Sequence, residues 1–316
     1  MLRKEHIGDF LVEFPPFVQT DGFTQTTGFF AFTTLAQRKD GTDASFRTDE
    51  NQQARRELEA VLAPLNLTWL ALDHGDHVVD IPLVLDCVVD EKTDVKAVHA
   101  DVAKVCSLLH ADVSKVRVDT AKVSSPGHAN ASKVNIDTAT VCTLHHADAA
   151  IVCSPGHAAA FTTADCLPVI LLSESCGCIV GIHAGWRGIA KGVIENSCER
   201  LMRECGGRMP EDIQAWFGPA IASRDYEIDE STRTQLCASP HVGMEHFTPT
   251  SPGHFLADLP AIARSKLEAY SIPSGRIITH VESTFGDTRY HSARRDGDKS
   301  GRMATVFGIF GRREEP

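Results

Sequence analysis

Cys178-Ile179-Val180-Gly181-Ile182-His183-Ala184-Gly185-Trp186-Arg187-Gly188 is the stretch on which the reading of this chain turns. A short apolar run ends at a histidine, a glycine-flanked Trp-Arg pair follows, and Ile189, Val193, Ile194, Leu201 and Met202 then recur at helical spacing to about Cys205. The pattern is strand, glycine loop, helix. Upstream, residues 167–172 form a second buried-strand pattern, separated from the first by the turn-like segment 173–177.

Working outward, residues 49–65 carry Ala54, Leu58, Val61 and Leu62 at helical spacing, and residues 68–72 read as a strand ending at Asp73-His74-Gly75-Asp76. Downstream, residues 213–217 and 277–281 are strand-like. Residues 256–270 predict a helix with Leu259, Ile262 and Leu267 inward, and residues 303–310 close the chain as a strand. Strands and helices mixed without a strict βαβ rhythm predict an α+β fold, a mixed α/β layered sandwich, rather than a barrel.

The chain has 316 residues, 42% of them hydrophobic and 23% charged, which is ordinary globular composition. The first residues carry Arg3, Lys4, Glu5, His6, Asp9 and Glu13, so no secretory h-region is readable, and no apolar run is long enough to span a bilayer. The expectation is a cytoplasmic, non-membrane protein. A net charge of −11 argues against a phosphate-backbone binder, so nucleic acid is not expected as a partner. Ten cysteines are scattered without a C-x-x-C pair, which predicts reduced thiols in cores rather than a disulfide framework.

Residues 105–158 differ from the rest, because 105–122, 123–140 and 141–158 align as three units of 18 residues. His110-Ala111-Asp112 matches His128-Ala129-Asn130 and His146-Ala147-Asp148. The repeated histidines suggest a metal- or partner-binding array; a tandem duplication tolerated in a surface loop is the plainer reading and is favoured, since loop insertions are thermodynamically mild. The expectation is one domain over residues 1–316 carrying this insertion at about 105–158.

Three residues carry the chemistry. Cys166, in Thr163-Ala164-Asp165-Cys166-Leu167-Pro168, precedes one strand; His183 ends the next, seventeen residues on; His74 also ends a strand. Each alone reads as a packed or hydrogen-bonded side chain. Together, two imidazoles and a thiolate suit zinc and leave a fourth position for water or substrate. The loop from Gly185 through Arg187 to Gly188 opens a helix, so its N–H groups and the Arg187 guanidinium form a candidate anion seat. Arg294 and Arg295, with Asp296 beside them, are candidates to close the same cleft, although basic runs are usually solvated faces.

His74-Gly75, Ala164-Asp165-Cys166-Leu167-Pro168, His183-Ala184-Gly185-Trp186-Arg187-Gly188 and Phe217-Gly218-Pro219-Ala220-Ile221 together resemble the YfiH-like family. Its members were once labelled laccase-domain polyphenol oxidases and are now understood as zinc-dependent purine nucleoside phosphorylases that also deaminate adenosine and cleave methylthioadenosine. The resemblance runs from about Gly22-Phe23 to Ser300-Gly301-Arg302 and implies a YfiH-like fold, with His74, Cys166 and His183 as both metal ligands and catalytic centre. It also implies purine nucleosides and phosphate as partners; it leaves the oligomeric state open.

The chain departs from the family in Leu72-Asp73 before the first histidine, in Ser283-Thr284 for Cys-Thr, and in Ser292-Ala293-Arg294-Arg295 for Ser-Tyr-Arg-Arg. The first leaves room for a zinc-tuning acid at Asp73. The repeats are a further departure: His74 lies 92 residues before Cys166, and removing three units shortens this to 38, close to the spacing expected of relatives.

The leading expectation is phosphorolysis of inosine, adenosine, guanosine or methylthioadenosine, with adenosine deamination as a side activity, and Arg187 helping to hold phosphate. Two alternatives stand beside it: a hydrolase using Cys166 as nucleophile with His183, and a non-enzymatic binding protein with the repeats as its interaction surface. Copper is less expected than zinc, since a multi-copper oxidase needs more motif-spaced histidines than this chain has.

Overall fold

The computed structural model describes residues 4–7, 10–13, 28–38, 44–46, 52–62, 65–81, 84–89, 117–125, 128–137, 144–280 and 282–310. Its N-terminal part holds β1 (Lys4–Ile7), β2 (Phe10–Glu13), β3 (Phe29–Arg38), α1 (Gln52–Leu62), β4 (Asn66–Ala71), β5 (Val78–Ile81) and β6 (Val84–Val89). The middle holds β7 (Arg117–Ser125), β8 (His128–Asp137), β9 (Leu144–His146), β10 (Ala149–Val152), β11 (His157–Thr163), β12 (Leu167–Ser173), β13 (Cys178–Ala184), α2 (Trp186–Lys191) and α3 (Val193–Glu204). Then follow β14 (Gln214–Phe217), β15 (Glu227–Asp229), α4 (Glu230–Cys237), β16 (Phe247–Ser251), β17 (His254–Ala257), α5 (Leu259–Ala269), β18 (Ile277–Thr279), α6 (Ala293–Asp296) and β19 (Met303–Ile309).

Two large mixed sheets stack face to face. One runs β1-β2-β3-β19-β11-β4-β9, the other β18-β14-β12-β13-β10-β5. The expected α+β layered sandwich is the architecture found. β12 and β13 are buried along their whole length because both of their faces are covered. Val169, Leu171, Val180 and Ile182 share a core with Val193, Ile194 and Leu201 of α3 and Ile262 and Leu267 of α5. Ile170, Leu172 and Ile179 point the other way, into a core with Ala159, Phe161 and Phe307 of the facing sheet. That two-sided burial is why the sequence shows continuous apolar runs rather than alternation. Each large aliphatic side chain so buried contributes about 1.5–3 kcal/mol. Gly181 serves the stacking, for a Cβ there would stand 2.2 Å from the Phe307 ring.

α1 closes the outer face of the seven-stranded sheet with Ala54, Leu58 and Leu62 against Phe30, Phe32 and Trp69. The helix expected from 189 to 205 is two helices. Gly192 takes φ +99°, donates to the carbonyls of Gly188 and Ile189, and so ends α2 with a left-handed cap before α3 begins. The helix expected from 256 begins at Leu259, where the Asp258 carboxylate accepts from the Ala261 N–H and Pro260 sits in the first turn. Residues 256–257 instead finish β17 of the small sheet β15-β17-β16, whose strands of three to five residues are too short and too exposed to show a period in the sequence.

The repeats divide. The first twelve residues of the first unit, 105–116, lie outside the described residues. β8 pairs with β6 on one side and β7 on the other in a separate three-stranded antiparallel sheet. The described residues of the third unit, 144–158, supply β9, β10 and the start of β11 to the large sheets.

The expectation of mostly reduced cysteines without a disulfide framework meets two bonded pairs. Cys153 is bonded to Cys178 and Cys176 to Cys205, with Cα separations of 4.3 and 5.4 Å. Pairs 25 and 29 residues apart carry no motif, and only the folded strands bring them together.

Candidate metal centre

After β4 the chain turns through Asp73 into His74, which takes the left-handed conformation at φ +57°. Only a few per cent of non-glycine residues do so, and such strain is tolerated where the surroundings over-determine it. Here they do: the N–H groups of His74 and Gly75 donate to the Asp148 carboxylate at 3.1 and 2.7 Å, and Lys191 of α2 donates to the His74 carbonyl at 3.1 Å.

Cys166 sits one residue before β12, and His183 is the next-to-last residue of β13, paired with Pro168. With His74 they bring one imidazole nitrogen each and the Cys166 sulfur within 4.8 Å of one another. This is the one such three-residue group of His, Cys, Asp and Glu among the described residues. Burial pushes the Cys166 thiol up, but His183 and His74 outweigh it and bring it down to about 6. Burial lowers His183, yet Cys166 and Asp148 outweigh that and raise it to about 9. The site thus favours a thiolate beside cationic imidazole, the charge state that a bound cation would replace.

Asp148, fully buried, is the residue the motif reading missed. It precedes β10, and its Oδ1 lies 2.8 Å from His183 Nδ1, which leaves Nε2 as the free ring nitrogen. Burial alone would raise its carboxyl, but hydrogen bonds from His183, Asp73 and the Gly75 N–H hold it well below the usual carboxylate range. Asp73 is raised in return, chiefly by its hydrogen bond with Asp148. The acid anticipated at Asp73 is hydrogen-bonded to Asp148. The available signal was the third repeat unit, where His146-Ala147-Asp148 keeps an aspartate that the second unit replaces with Asn130.

Asp165 braces the same loop. It too is left-handed, at φ +83°, and its carboxylate accepts from Thr284 Oγ1 and from the Arg294 N–H, both at 2.6 Å. Thr284 and α6 are thereby tied to the residue before Cys166. Ser283, where the family has cysteine, accepts from the Ala222 N–H at 3.1 Å.

The glycines of the His-Ala-Gly-Trp-Arg-Gly motif make room for the ligands. A Cβ on Gly185 would stand 3.1 Å from Cys166 Sγ and 3.5 Å from the His183 ring, and one on Gly188 would stand 2.9 Å from the Gly75 carbonyl. α2 has only six residues, so the expected long-helix dipole at Gly185 is cut short. Arg187 is exposed, lies over the Trp186 ring at 4.4 Å and has no carboxylate partner among the described residues. Arg294 lies over Tyr226 at 5.2 Å and donates to the Glu227 carbonyl. Burial, followed by the charge of Cys166, drives the Tyr226 phenol up, while the charges of Arg294 and Arg187 oppose it. Arg295 does not join them. Its donors are committed to the carbonyls of Thr284, Phe285 and Tyr290 and to Asp296, so it clamps a loop instead of waiting for an anion.

Residues 84–309 match a family model described as multi-copper polyphenol oxidoreductase laccase. The chain is 35% identical over 154 residues to a purine nucleoside phosphorylase of Pseudomonas aeruginosa, covering 48% of this chain and 60% of that protein. It is 34% identical over 162 residues to the purine nucleoside phosphorylase YfiH of Escherichia coli, covering 49% and 60%. The matches thus span about 60% of the length of these curated relatives. Among solved structures, Bacillus licheniformis YfiH superposes with a TM-score of 0.67 at 18% identity over 98% of both chains. Geobacillus stearothermophilus YlmD gives 0.66 at 21% over 98% and 99%. A fold shared along nearly the whole chain, a family model covering residues 84–309 and the His74–Cys166–His183 constellation agree, and the chain belongs to the YfiH-like family.

Proposed function

We propose that this chain is a zinc-dependent purine nucleoside phosphorylase acting on inosine, adenosine, guanosine and methylthioadenosine, with adenosine deamination as a side activity. The observation that carries the reading is the convergence of His74, Cys166 and His183, with donor atoms within 4.8 Å and Asp148 behind one of them. The names of the relatives supply the substrate class.

Two imidazoles and one thiolate fit zinc, which when bound supplies Lewis acidity and keeps a position open for substrate. Asp148 holds His183 in one tautomer and orientation, and by gripping the His74 and Gly75 amides it fixes a second ligand with the same carboxylate. Arg187 and Arg294, without a carboxylate partner among the described residues, bring positive charge near Tyr226 and Cys166, where they receive inorganic phosphate. A phosphate oxygen so placed attacks the ribose C1′, the glycosidic bond breaks, and the purine departs with the electron pair and takes a proton. Stacking of Arg187 on Trp186 holds its planar fork ready, which lowers the ordering cost of anion binding. Copper-oxidase chemistry finds one three-donor group among the described residues, where a multi-copper site requires several.

A second reading has one specific observation in its favour. A Cys166 thiol brought down to about 6 beside His183 raised to about 9 is also the charge state of a nucleophilic cysteine pair. Metal content and products separate the two. Zinc-loaded protein with inosine and phosphate is expected to give hypoxanthine and ribose 1-phosphate. Free ribose at a rate indifferent to phosphate, from protein without metal and inactivated by thiol alkylation, would establish the hydrolase instead.

A further inference from the structure

The Asp148–His183 pair is one rung of the antiparallel β10–β13 ladder, whose register runs from Ala149↔Ile182 to Val152↔Ile179. Continued by one step in each direction, the register places Asp148 opposite His183 and Cys153 opposite Cys178. The first rung is closed by the His183 N–H donating to the Asp148 carbonyl at 2.7 Å, the second by a disulfide. A Cα separation of 4.3 Å is that of a non-hydrogen-bonded antiparallel pair, which is the rung that the alternation requires five residues from a hydrogen-bonded one. The second disulfide joins Cys176, in the β12–β13 turn, to Cys205, the C-cap of α3. One covalent path therefore runs from α3 through β13 to β10.

β10 is the strand that gains most from such a path. It has four residues, and only the four-residue β5 lies between it and the sheet edge. We propose that Cys153–Cys178 and Cys176–Cys205 form a thiol–disulfide modification site whose co-reactant is a small disulfide of the glutathione class. Its oxidation locks β10 to β13 and so fixes Asp148 against His183. The coupling to metal rests on the metal reading of the site given above; formation of the bonds does not.

In each oxidation one cysteine thiolate attacks a sulfur of the small disulfide, whose S–S bond breaks and releases one small thiolate. The partner cysteine thiolate then attacks the mixed disulfide and releases the second. The two protons of the cysteine pair pass to the departing thiolates, and two electrons pass from the pair to the oxidant. Cys153, Cys176 and Cys205 are half-buried, whereas Cys178 is 2% exposed, so exchange at the first pair begins from Cys153. The pairs stay closed in an oxidising compartment and open under a reducing one.

The experiment uses zinc-loaded protein treated with a small disulfide and digested without reduction. Peptides linked through Cys153–Cys178 and Cys176–Cys205 are expected. The variant C153S/C178S is then expected to lose zinc to a chromogenic chelator about tenfold faster than oxidised wild type, the lower range for weakened support of a ligating histidine. Its amides at 149–152 should also exchange faster, and C237S, outside both pairs, should match wild type. Wild type reduced before amide exchange repeats the test without a substitution. Four free cysteines after oxidation, a second zinc held by them, or unchanged zinc release and amide exchange on opening the bonds would overturn the proposal. If wild type holds no zinc, the metal reading fails by itself, and peptide mapping with amide exchange still decides this one.

Discussion

Asp148 Oδ1 stands 2.8 Å from His183 Nδ1, and the same carboxylate accepts the backbone N–H groups of His74 and Gly75. One buried acid therefore orients two of the three candidate ligands. Asp148→Asn is expected to weaken zinc binding by about 10- to 100-fold, the range for losing an outer partner of a ligating histidine. Titration against a competing chelator measures it; an unchanged affinity would remove Asp148 from the centre.

Arg187 has no carboxylate partner among the described residues and rests on Trp186 at 4.4 Å. Arg187→Ala is expected to lower phosphate use by roughly ten- to a hundredfold, the equivalent of losing a charge-assisted pair of about 1.5–3 kcal/mol. Zinc content should not change, and adenosine deamination, which needs water and not phosphate, should suffer less. Equal losses in both reactions would show general damage to the site instead of a lost anion seat.

Gly185 and Gly188 set the spacing of the centre. Gly188→Ala puts a Cβ 2.9 Å from the Gly75 carbonyl, a backbone atom that must then shift and carry His74 with it. Gly185→Ala meets Cys166 Sγ at 3.1 Å, a side-chain atom with more freedom. Both are expected to reduce zinc content, Gly188→Ala the more, with the far-ultraviolet spectrum retained. Elemental analysis of the two proteins is the check.

Asp212 ties the β12–β13 turn by accepting from the Ser175 N–H at 2.8 Å and from the hydroxyls of Ser173 and Ser175 at 2.7 and 2.8 Å. Burial raises its carboxyl, but these bonds outweigh it and hold the group below its ordinary value. A depressed folded value stabilises the native state above the unfolded value of about 3.9 and is lost as pH falls through the folded one. Asp212→Asn should therefore melt earlier than wild type near neutral pH, with the gap closing in acid. A gap that widens in acid contradicts the assignment.

Among the described residues β8 pairs with β6 and β7 alone, while residues 144–158 of the third repeat unit lie beside or within the large sheets. Deletion of residues 105–140 is expected to leave a folded protein with its zinc, since whole units are removed and Asp148 is kept. Melting and metal content test this. A deletion that abolishes folding would make the small sheet part of the core.

The sequence by itself determined the elements around the centre and the three ligand candidates. Leu167–Ser173 and Cys178–Ala184 are buried on both faces, so their apolar runs are unbroken, and Cys166 and His183 stand at their ends, while His74 follows the partly buried β4. What depends on long-range pairing was not legible. Asp148 becomes the centre's brace only because β10 lies beside β13; read in sequence, it looked like one position of an 18-residue repeat. Cys153 and Cys178 meet for the same reason. Arg294 and Arg295 are neighbours in the chain, yet the fold commits one guanidinium to backbone carbonyls and leaves the other against Tyr226. Local periodicity reports which face of an element is dry, whereas the partner across a sheet is chosen by the register of strands far apart in the chain, and only the tertiary structure sets that register.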